Sequence, residues 1–162
     1  MKKISKILFL IIILINISGC AGYKPIFNST NIKFTIEDYS IKGDKKIGNQ
    51  IYYQLLNASK LNAKSVDSKN IYILINASKN KSVTSKDKDD KILGYKISLT
   101  CKIEVKNLET GNQILNENFT YSSTYETQNQ YSETLKLENK SLENLINKTY
   151  EDLLIKLSDK LS

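Results

Sequence analysis

The sequence predicts an α+β fold, a two-layer sandwich in which two helices cover one face of a four-stranded, mostly antiparallel sheet (β-α-β-β-β-α). Two observations lead to it: apolar and polar residues alternate strictly over residues 95–105, and apolar residues recur at helical spacing over 45–60 and again near the C-terminus. Neither an internal repeat nor a linker-like segment divides residues 31–162, which are therefore predicted to form a single domain.

The first elements follow from local patterns. Alternating apolar and polar residues predict a strand over about residues 31–40. Gly43 ends this strand, and Asp44 is a candidate N-cap for the helix that is predicted over 45–60. Five consecutive apolar residues at 71–75 then predict a second strand that is buried on both faces.

The third strand has the most regular pattern in the chain. Its predicted inward residues are Tyr95, Ile97, Leu99, Cys101, Ile103 and Val105, and its predicted outward residues are Lys96, Ser98, Thr100, Lys102 and Glu104. A register shift of one residue would bury the charged set, so the register is well specified. Cys101 is interpreted as a small buried residue rather than a reactive thiol. The outward face suits either water or the polar interior of a partner.

The remaining elements complete the sheet and its second helix. Residues 109–112 predict a hairpin turn, in which Gly111 can adopt a positive φ. A fourth strand follows, with Leu115, Phe119, Tyr121 and Tyr125 in phase, and polar residues 127–133 separate it from a terminal helix. The stripe of that helix comprises Leu142, Leu145, Ile146, Thr149, Leu153, Leu157 and Leu161.

Residues 79–91 are polar and show no period, which predicts a solvated loop. This segment holds the densest group of lysines in the mature chain: Lys79, Lys81, Lys86, Lys88 and Lys91. Three aspartates, Asp87, Asp89 and Asp90, partly neutralise them. A loop that is merely solvated and a loop that binds anions both fit this composition.

The composition argues against several classes of function. The chain has no histidine, so the commonest general base and the commonest metal ligand are missing. All of its basic residues are lysines, and they do not alternate with aromatic residues as a nucleic-acid interface would require. We therefore expect no enzymatic activity, no metal and no nucleic-acid partner. Residue counts alone leave a serine–lysine hydrolase open, although no spacing favours one.

The N-terminus resembles a lipoprotein signal peptide. Three lysines lie within residues 1–6, and an apolar run over 7–15 follows that is too short to span a bilayer. The tetrapeptide Ile17-Ser18-Gly19-Cys20 resembles a lipobox, which predicts cleavage after residue 19 and a lipidated tether over 20–30. The diacylglyceryl and acyl groups on Cys20 (palmitate among them) would be the only non-protein groups, and several acyl chains give stable anchoring. Removing the signal lowers the formal charge from +7 to +4.

The mature chain resembles the LPS-assembly lipoproteins, the LptE-type subunit of the outer-membrane lipopolysaccharide translocon. The resemblance includes Gly22-Tyr23-Lys24-Pro25-Ile26-Phe27 after the lipobox, although Ala21 is inserted between Cys20 and Gly22. It extends to the first helix around 47–57, to Tyr95 at the head of a long strand, and to the C-terminal amphipathic helix. It covers essentially all of the mature chain, and the order of the elements is more informative than any one motif.

The resemblance implies a non-enzymatic role in lipopolysaccharide transport. Such a protein is anchored in the outer membrane, faces the periplasm and the barrel lumen, plugs a large β-barrel, assists its assembly and contacts lipopolysaccharide. Ala21, in place of an aspartate that would favour inner-membrane retention, agrees with that location. Lys79, Lys81, Lys86, Lys88 and Lys91 are the candidate contacts for lipopolysaccharide phosphates. The alternative is a generic envelope lipoprotein that binds another protein or a cell-wall component.

The lipobox gives the first testable prediction. Replacing Cys20 with serine should block diacylglyceryl transfer and leave unprocessed precursor, because serine offers no thiol for the transfer. Metabolic labelling with a tagged palmitate measures this. Equal label on Cys20→Ser and on the unmodified chain would contradict the lipobox assignment.

Overall fold

The computed structural model describes residues 34–62 and 68–161, so the predicted signal peptide, Cys20 and the predicted tether lie outside the described residues. The elements follow in the predicted order: β1 (Phe34–Gly43), α1 (Lys45–Asn62), β2 (Lys69–Lys86), β3 (Ile92–Asn107), β4 (Gln113–Glu126) and α2 (Tyr131–Leu161). The strands form a single sheet in the order β1-β2-β3-β4. Only the β1–β2 pair is parallel, which confirms the mostly antiparallel α+β fold.

The junction between β1 and α1 is built as the sequence predicts. Gly43 has a φ of +70°, and a Cβ atom on it would lie 2.1 Å from the carbonyl oxygen of Ala77, so no other residue fits without strain. Asp44 Oδ1 accepts hydrogen bonds from the backbone N–H groups of Lys46 and Ile47, both at 3.1 Å. Asp44 is therefore the N-cap of α1.

A β-bulge in β1 changes which of its residues face the helices. The register with β2 shifts between Ile36 and Asp38. Before the bulge, Phe34 is buried and Ile36 is half-buried; after it, Tyr39 and Ile41 take the helix-facing positions, paired with buried residues of β2. The extra residue thus lets both halves of β1 contribute apolar side chains to one core.

The core lies between the sheet and the two helices. The predicted inward residues of β3 from Ile97 to Val105 are all fully buried, and Tyr95 is half-buried. The buried helix residues that meet the sheet include Ile47, Ile51 and Leu55 of α1 and Leu145, Leu153 and Leu157 of α2. Both helices therefore cover the same face, as predicted.

The prediction that residues 71–75 are buried on both faces is wrong. Ile71, Ile73 and Ile75 are fully buried, but Tyr72 and Leu74 on the opposite face are only half-buried. No described element covers that face of the sheet, so these two apolar side chains are shielded only by their neighbours within the sheet.

The predicted loop over residues 79–91 is also wrong. Strand β2 continues to Lys86, and only residues 87–91 form a turn. Backbone pairing with β3 extends β2, for example between Lys81 and Ile97, and such pairing needs no apolar side chains. Asp87 Oδ1 closes the turn by accepting hydrogen bonds from the N–H groups of Asp89 and Lys91, both at 2.9 Å.

The C-terminal half matches its pattern closely. Gly111 has a φ of +71° in the β3–β4 turn. The helix α2 begins at Tyr131, slightly before the predicted start, and five of the seven predicted stripe residues are buried: Leu145, Ile146, Thr149, Leu153 and Leu157. Leu142 and Leu161, the remaining two, are half-buried. In the described part of the chain, neither helix is long and apolar enough to cross a membrane.

The register of β3 predicts opposite outcomes for two adjacent substitutions. Leu99→Asp places a carboxylate among fully buried side chains and should cost several kcal/mol, enough to unfold a domain of ordinary stability. Thr100→Asp lies on the uncovered face and should change the free energy of unfolding little. Urea unfolding of both variants measures the difference; equal midpoints near that of the unmodified chain would contradict the register.

Candidate functional site

The five predicted ligand lysines do not form one cluster. Lys79 and Lys81 lie within β2, paired with Leu99 and Ile97, so they are on the helix-facing side of the sheet. The other three lie at the tip of the β2–β3 hairpin: Lys86 ends β2, and Lys88 and Lys91 belong to the turn segment that follows. The structure therefore separates the helix-facing pair, Lys79 and Lys81, from the three lysines at the tip of the hairpin.

Lys81 is held by an ion pair. Its Nζ lies 2.6 Å from Glu138 Oε2 on α2, and the same oxygen accepts a hydrogen bond of 2.9 Å from the hydroxyl of Tyr125. The Lys81 Nζ also lies 4.1 Å from the ring centroid of Tyr95, within cation–π range. The side chains of Lys81 and Glu138 are 36% and 16% exposed, so water screens this pair less than it would a pair on the open surface.

The pKa values of this group reflect the same contacts. The hydrogen bond with Glu138 raises the pKa of Lys81 well above its usual range. The hydrogen bond from Lys81 lowers the pKa of the Glu138 carboxyl, with a further contribution from the Tyr125 hydroxyl. Both groups are therefore charged at neutral pH, and Lys81 is already neutralised within the chain. An anionic ligand would have to displace Glu138 to bind it.

A cleft of about 240 Å³ lies beside this ion pair, between β3 and the start of α2. Its walls are mostly polar and aromatic: Lys81, Tyr95, Thr127, Gln128, Asn129, Tyr131, Thr134, Leu135 and Glu138. Tyr131 is 76% exposed at its rim. The cleft offers hydroxyl and amide hydrogen-bonding groups and ring faces, but the only cation among its lining residues is the one paired to Glu138.

The tip of the hairpin carries mixed charges. Lys86 Nζ lies 3.1 Å from Asp90 Oδ1 in an exposed pair, which contributes little in water. Lys88 and Lys91 are exposed and have no carboxylate partner among the described residues. The tip can therefore offer two free ammonium groups to an anion, although three aspartates lie in the same turn segment.

The uncovered face of the sheet is larger than the outward residues of β3 alone indicate. Ser78 and Thr120 flank Thr100, and Asn80 and Ser122 flank Ser98 in the same way. Hydroxyl and amide side chains thus form rows across three strands, and one pair of hydroxyl oxygens, on Thr100 and Thr120, is 3.4 Å apart.

Several charged side chains on the uncovered face gather around Glu104, which is influenced by Lys42, Lys102 and Lys106, and Lys96 lies farther along β3. Lys102 Nζ lies 3.0 Å from Glu104 Oε1, and this hydrogen bond lowers the pKa of Glu104. The face can exchange hydrogen bonds with water or with a polar partner along most of its length.

Two residues singled out in the sequence have no reactive role in this geometry. Cys101 is fully buried, and burial raises the pKa of its thiol to about 12, so it remains a protonated, inaccessible side chain. Burial and a hydrogen bond donated to Asp152 raise the pKa of Tyr121 to about 12. Among the described residues, no three His, Cys, Asp or Glu side chains lie close enough together to hold a metal ion.

Sequence reasoning missed Glu138 and Tyr39. Glu138 stands four residues before Leu142 and seven before Leu145, in phase with the buried stripe of α2, which is a signal that could have revealed it. Tyr39 stacks on Tyr52 of α1 with ring centroids 3.9 Å apart. Only the bulge in β1 brings it to that side, and nothing in the local pattern indicates a bulge there.

The fold is shared with solved structures of bacterial lipoproteins. Rare lipoprotein B from Shewanella oneidensis superposes with a TM-score of 0.53 at 13% identity, over 75% of this chain and 94% of the other. A minor lipoprotein from Acinetobacter baumannii superposes with a TM-score of 0.53 at 11% identity, over 78% of this chain and 93% of the other. Lipoprotein B from Nitrosomonas europaea superposes with a TM-score of 0.53 at 11% identity, over 82% of this chain and 88% of the other. No protein-family model matches the sequence, and no curated protein matches it.

The Lys81–Glu138 pair predicts a pH-dependent contribution to stability. Because the folded state lowers the pKa of Glu138 below its ordinary 4.5, the stabilisation is complete above that value and is lost as the pH falls through the folded pKa. Glu138→Gln should lower the free energy of unfolding at pH 7 by about 1–3 kcal/mol. The free energy of unfolding of this variant should also decrease less than that of the unmodified chain as the pH is lowered. Urea unfolding between pH 3 and 7 measures both effects.

Glu143→Gln is the matched control for this prediction, because Glu143 is an exposed residue of the same helix with no ion pair to any described residue. It should reproduce the acid profile of the unmodified chain. Identical profiles for the two glutamine variants would contradict a stabilising role for the Glu138 carboxylate.

Proposed function

We propose that this chain is an outer-membrane lipoprotein that plugs the lipopolysaccharide-exporting β-barrel, assists its assembly and contacts lipopolysaccharide during transport. The lipobox at Cys20, the family resemblance of the mature sequence and a fold shared with solved bacterial lipoproteins support the proposal. The observation that carries it is the uncovered, polar face of the sheet.

That face fits the inside of a wide barrel better than it fits an apolar partner. The lumen of a transmembrane barrel is lined by polar side chains and water. Rows of serine, threonine and asparagine across β2, β3 and β4 can exchange hydrogen bonds with such a wall or with trapped water. Tyr72 and Leu74, which are apolar residues on this face, are half-buried and so expose only part of their hydrophobic area.

The topology gives the plug a direction. Phe34, the first described residue of β1, pairs with Lys69 at the start of β2, so the anchor-proximal end of the sheet lies opposite the β2–β3 tip. The sixteen residues of β3 separate the two ends by roughly 50 Å. In this proposal the tip reaches away from the inner leaflet, across a hydrocarbon core that is about 30 Å thick.

The tip is also the candidate contact for lipopolysaccharide. Lys88 and Lys91 carry free ammonium groups that can bind phosphates as point charges, and Lys86 can exchange Asp90 for a phosphate at little cost, because their pair is exposed. Lys79 and Lys81 are weaker candidates, since they lie on the helix-facing side of the sheet, close to the carboxylate of Glu138.

The proposal predicts contacts at both ends of the domain. Photocrosslinkers at Lys86 in the tip and at Asn112 in the β3–β4 turn should trap the same barrel protein, because a plug touches the wall around much of its length. Affinity purification followed by peptide mass spectrometry identifies the adducts. Depletion of the chain should lower assembled barrel and surface lipopolysaccharide together.

The same crosslinkers in a Cys20→Ser background are the control, because a chain without its anchor should give far fewer adducts. A generic envelope lipoprotein would give scattered adducts or none. Absence of barrel adducts at both positions, with normal surface lipopolysaccharide after depletion, would overturn the proposal in favour of that alternative.

A further inference from the structure

The outer edge of β4 has no paired strand among the described residues. Strand β4 has fourteen residues and a single neighbour, β3. Within residues 34–62 and 68–161, no backbone or side-chain group bonds the N–H and C=O groups that β4 directs away from β3. Such a row of free donors and acceptors is a template for another extended chain.

The opposite edge of the sheet is protected and this one is not. Strand β1 has ten residues, a bulge between Ile36 and Asp38, and charged side chains along its length. Strand β4 pairs with β3 without a bulge from Leu115 to Glu126, contains no proline, and has Glu117 and Glu126 as its only charged residues. Bulges, charges and short length are the usual devices against edge pairing, so their absence from β4 is informative.

A groove accompanies the free edge. The helix α2 lies beside β4, and two clefts open between them. The first, of about 330 Å³, is lined by Phe119, Tyr121 and Ile155, among others, and Ile155 is 45% exposed. The second, of about 700 Å³, is lined by Tyr125 and Leu137 together with polar side chains, and it also reaches Gly94 of β3 and the end of β2. Along β4 the clefts are about five residues apart, which corresponds to about 17 Å.

One stripe of α2 forms the far wall of this groove: Leu137, Ser141, Asn144, Lys148, Asp152 and Ile155. The stripe is polar in its middle and apolar at both ends. Lys148 lies over the ring of Tyr121 at 5.1 Å, and neither it nor Lys140 has a carboxylate partner in the described part of the chain. Lys156, by contrast, is paired with Glu117 at 2.9 Å. Two carboxylates line the same clefts: Glu126 at the end of β4, and Asp152, which accepts a hydrogen bond from the Tyr121 hydroxyl. Lys148 and Lys140 are therefore available to an anionic side chain, but they do not give the groove a purely positive charge.

We propose that the groove between β4 and α2 binds an extended segment of another polypeptide, which adds to the sheet as a fifth strand. The main chain of the segment pairs with the free edge of β4. Its helix-facing side chains enter the two clefts, and the side chain that lies beside Ile155 is apolar. Between the clefts, an acidic side chain of the segment contacts Lys148. Backbone pairing supplies the affinity, and pockets for alternate side chains supply the specificity.

The packing of β4 favours a different protein over a second copy of this chain. The helix-facing side chains of β4 are already used within their own fold, since Phe119 and Tyr125 are buried and Tyr121 donates a hydrogen bond to Asp152. The β4 edge of a second copy therefore has no side chains left to enter the two clefts. For the barrel partner of the proposed function, on which this point rests, the segment comes from a loop or a terminal tail, because a strand of a closed barrel has no free edge to offer.

The test is a register map by photocrosslinking in the full-length, membrane-anchored chain. Benzoylphenylalanine is placed singly at four exposed β4 positions, Asn118, Thr120, Ser122 and Thr124, and adducts from the native cell envelope are sequenced. Strand addition predicts that successive positions trap residues two apart in one partner segment, in steadily rising or falling order. Ser40 and Lys42 on the β1 edge are the control positions and should show no such order.

A charge reversal adds a second readout. Lys148→Glu should lower the adduct yield at Thr120 by about threefold, the scale of one exposed charge pair, whereas Lys60→Glu on α1 should leave it unchanged. Adducts without a two-residue step, an ordered pattern on β1 alone, or adducts that map only to this chain in the same or a second copy would each overturn the proposal. Equal adduct yields at Thr120 from Lys148→Glu and Lys60→Glu would show that the segment places no acidic residue at Lys148.

Discussion

The alternation along β3 is the constraint on which the rest of this structure depends. Its inward residues from Ile97 to Val105 are fully buried, and both flanking strands take their register from it. Once that register is set, the helix-facing sides of β2 and β4 are determined, and so are the positions on which α1 and α2 pack. The polar outer face follows from the same alternation, because the residues that lie between the inward ones along each strand must point to the uncovered side.

Patterns that act within a few residues made most of the fold predictable. The cap at Asp44, the positive φ of Gly43 and Gly111, the register of β3 and the stripe of α2 each depend on neighbours in the sequence. The extension of β2 to Lys86 depends instead on backbone bonds to a strand that comes later in the chain. Polar composition carries no trace of such pairing, so the segment resembled a loop.

The candidate site was less predictable for the same reason. A run of lysines suggested one anion-binding group, but strand geometry sends alternate residues to opposite sides of a sheet. Lys81 consequently faces inward to Glu138 and Tyr125, while Lys88 and Lys91 remain at the tip. The formal charge of a segment thus overstates what it can offer to a ligand, because part of that charge is already balanced within the fold.

The parallel pairing of β1 with β2 has a consequence for the order of folding. Phe34 and Lys69 are thirty-five positions apart, whereas the turns that join β2 to β3 and β3 to β4 each close over only a few residues. Closing a longer loop costs more conformational entropy, and non-local pairings form more slowly than hairpins. The meander of β2, β3 and β4 can therefore assemble at the lower entropic cost. The strand that comes first in the described chain, β1, is the one whose place in the sheet is the most costly to establish.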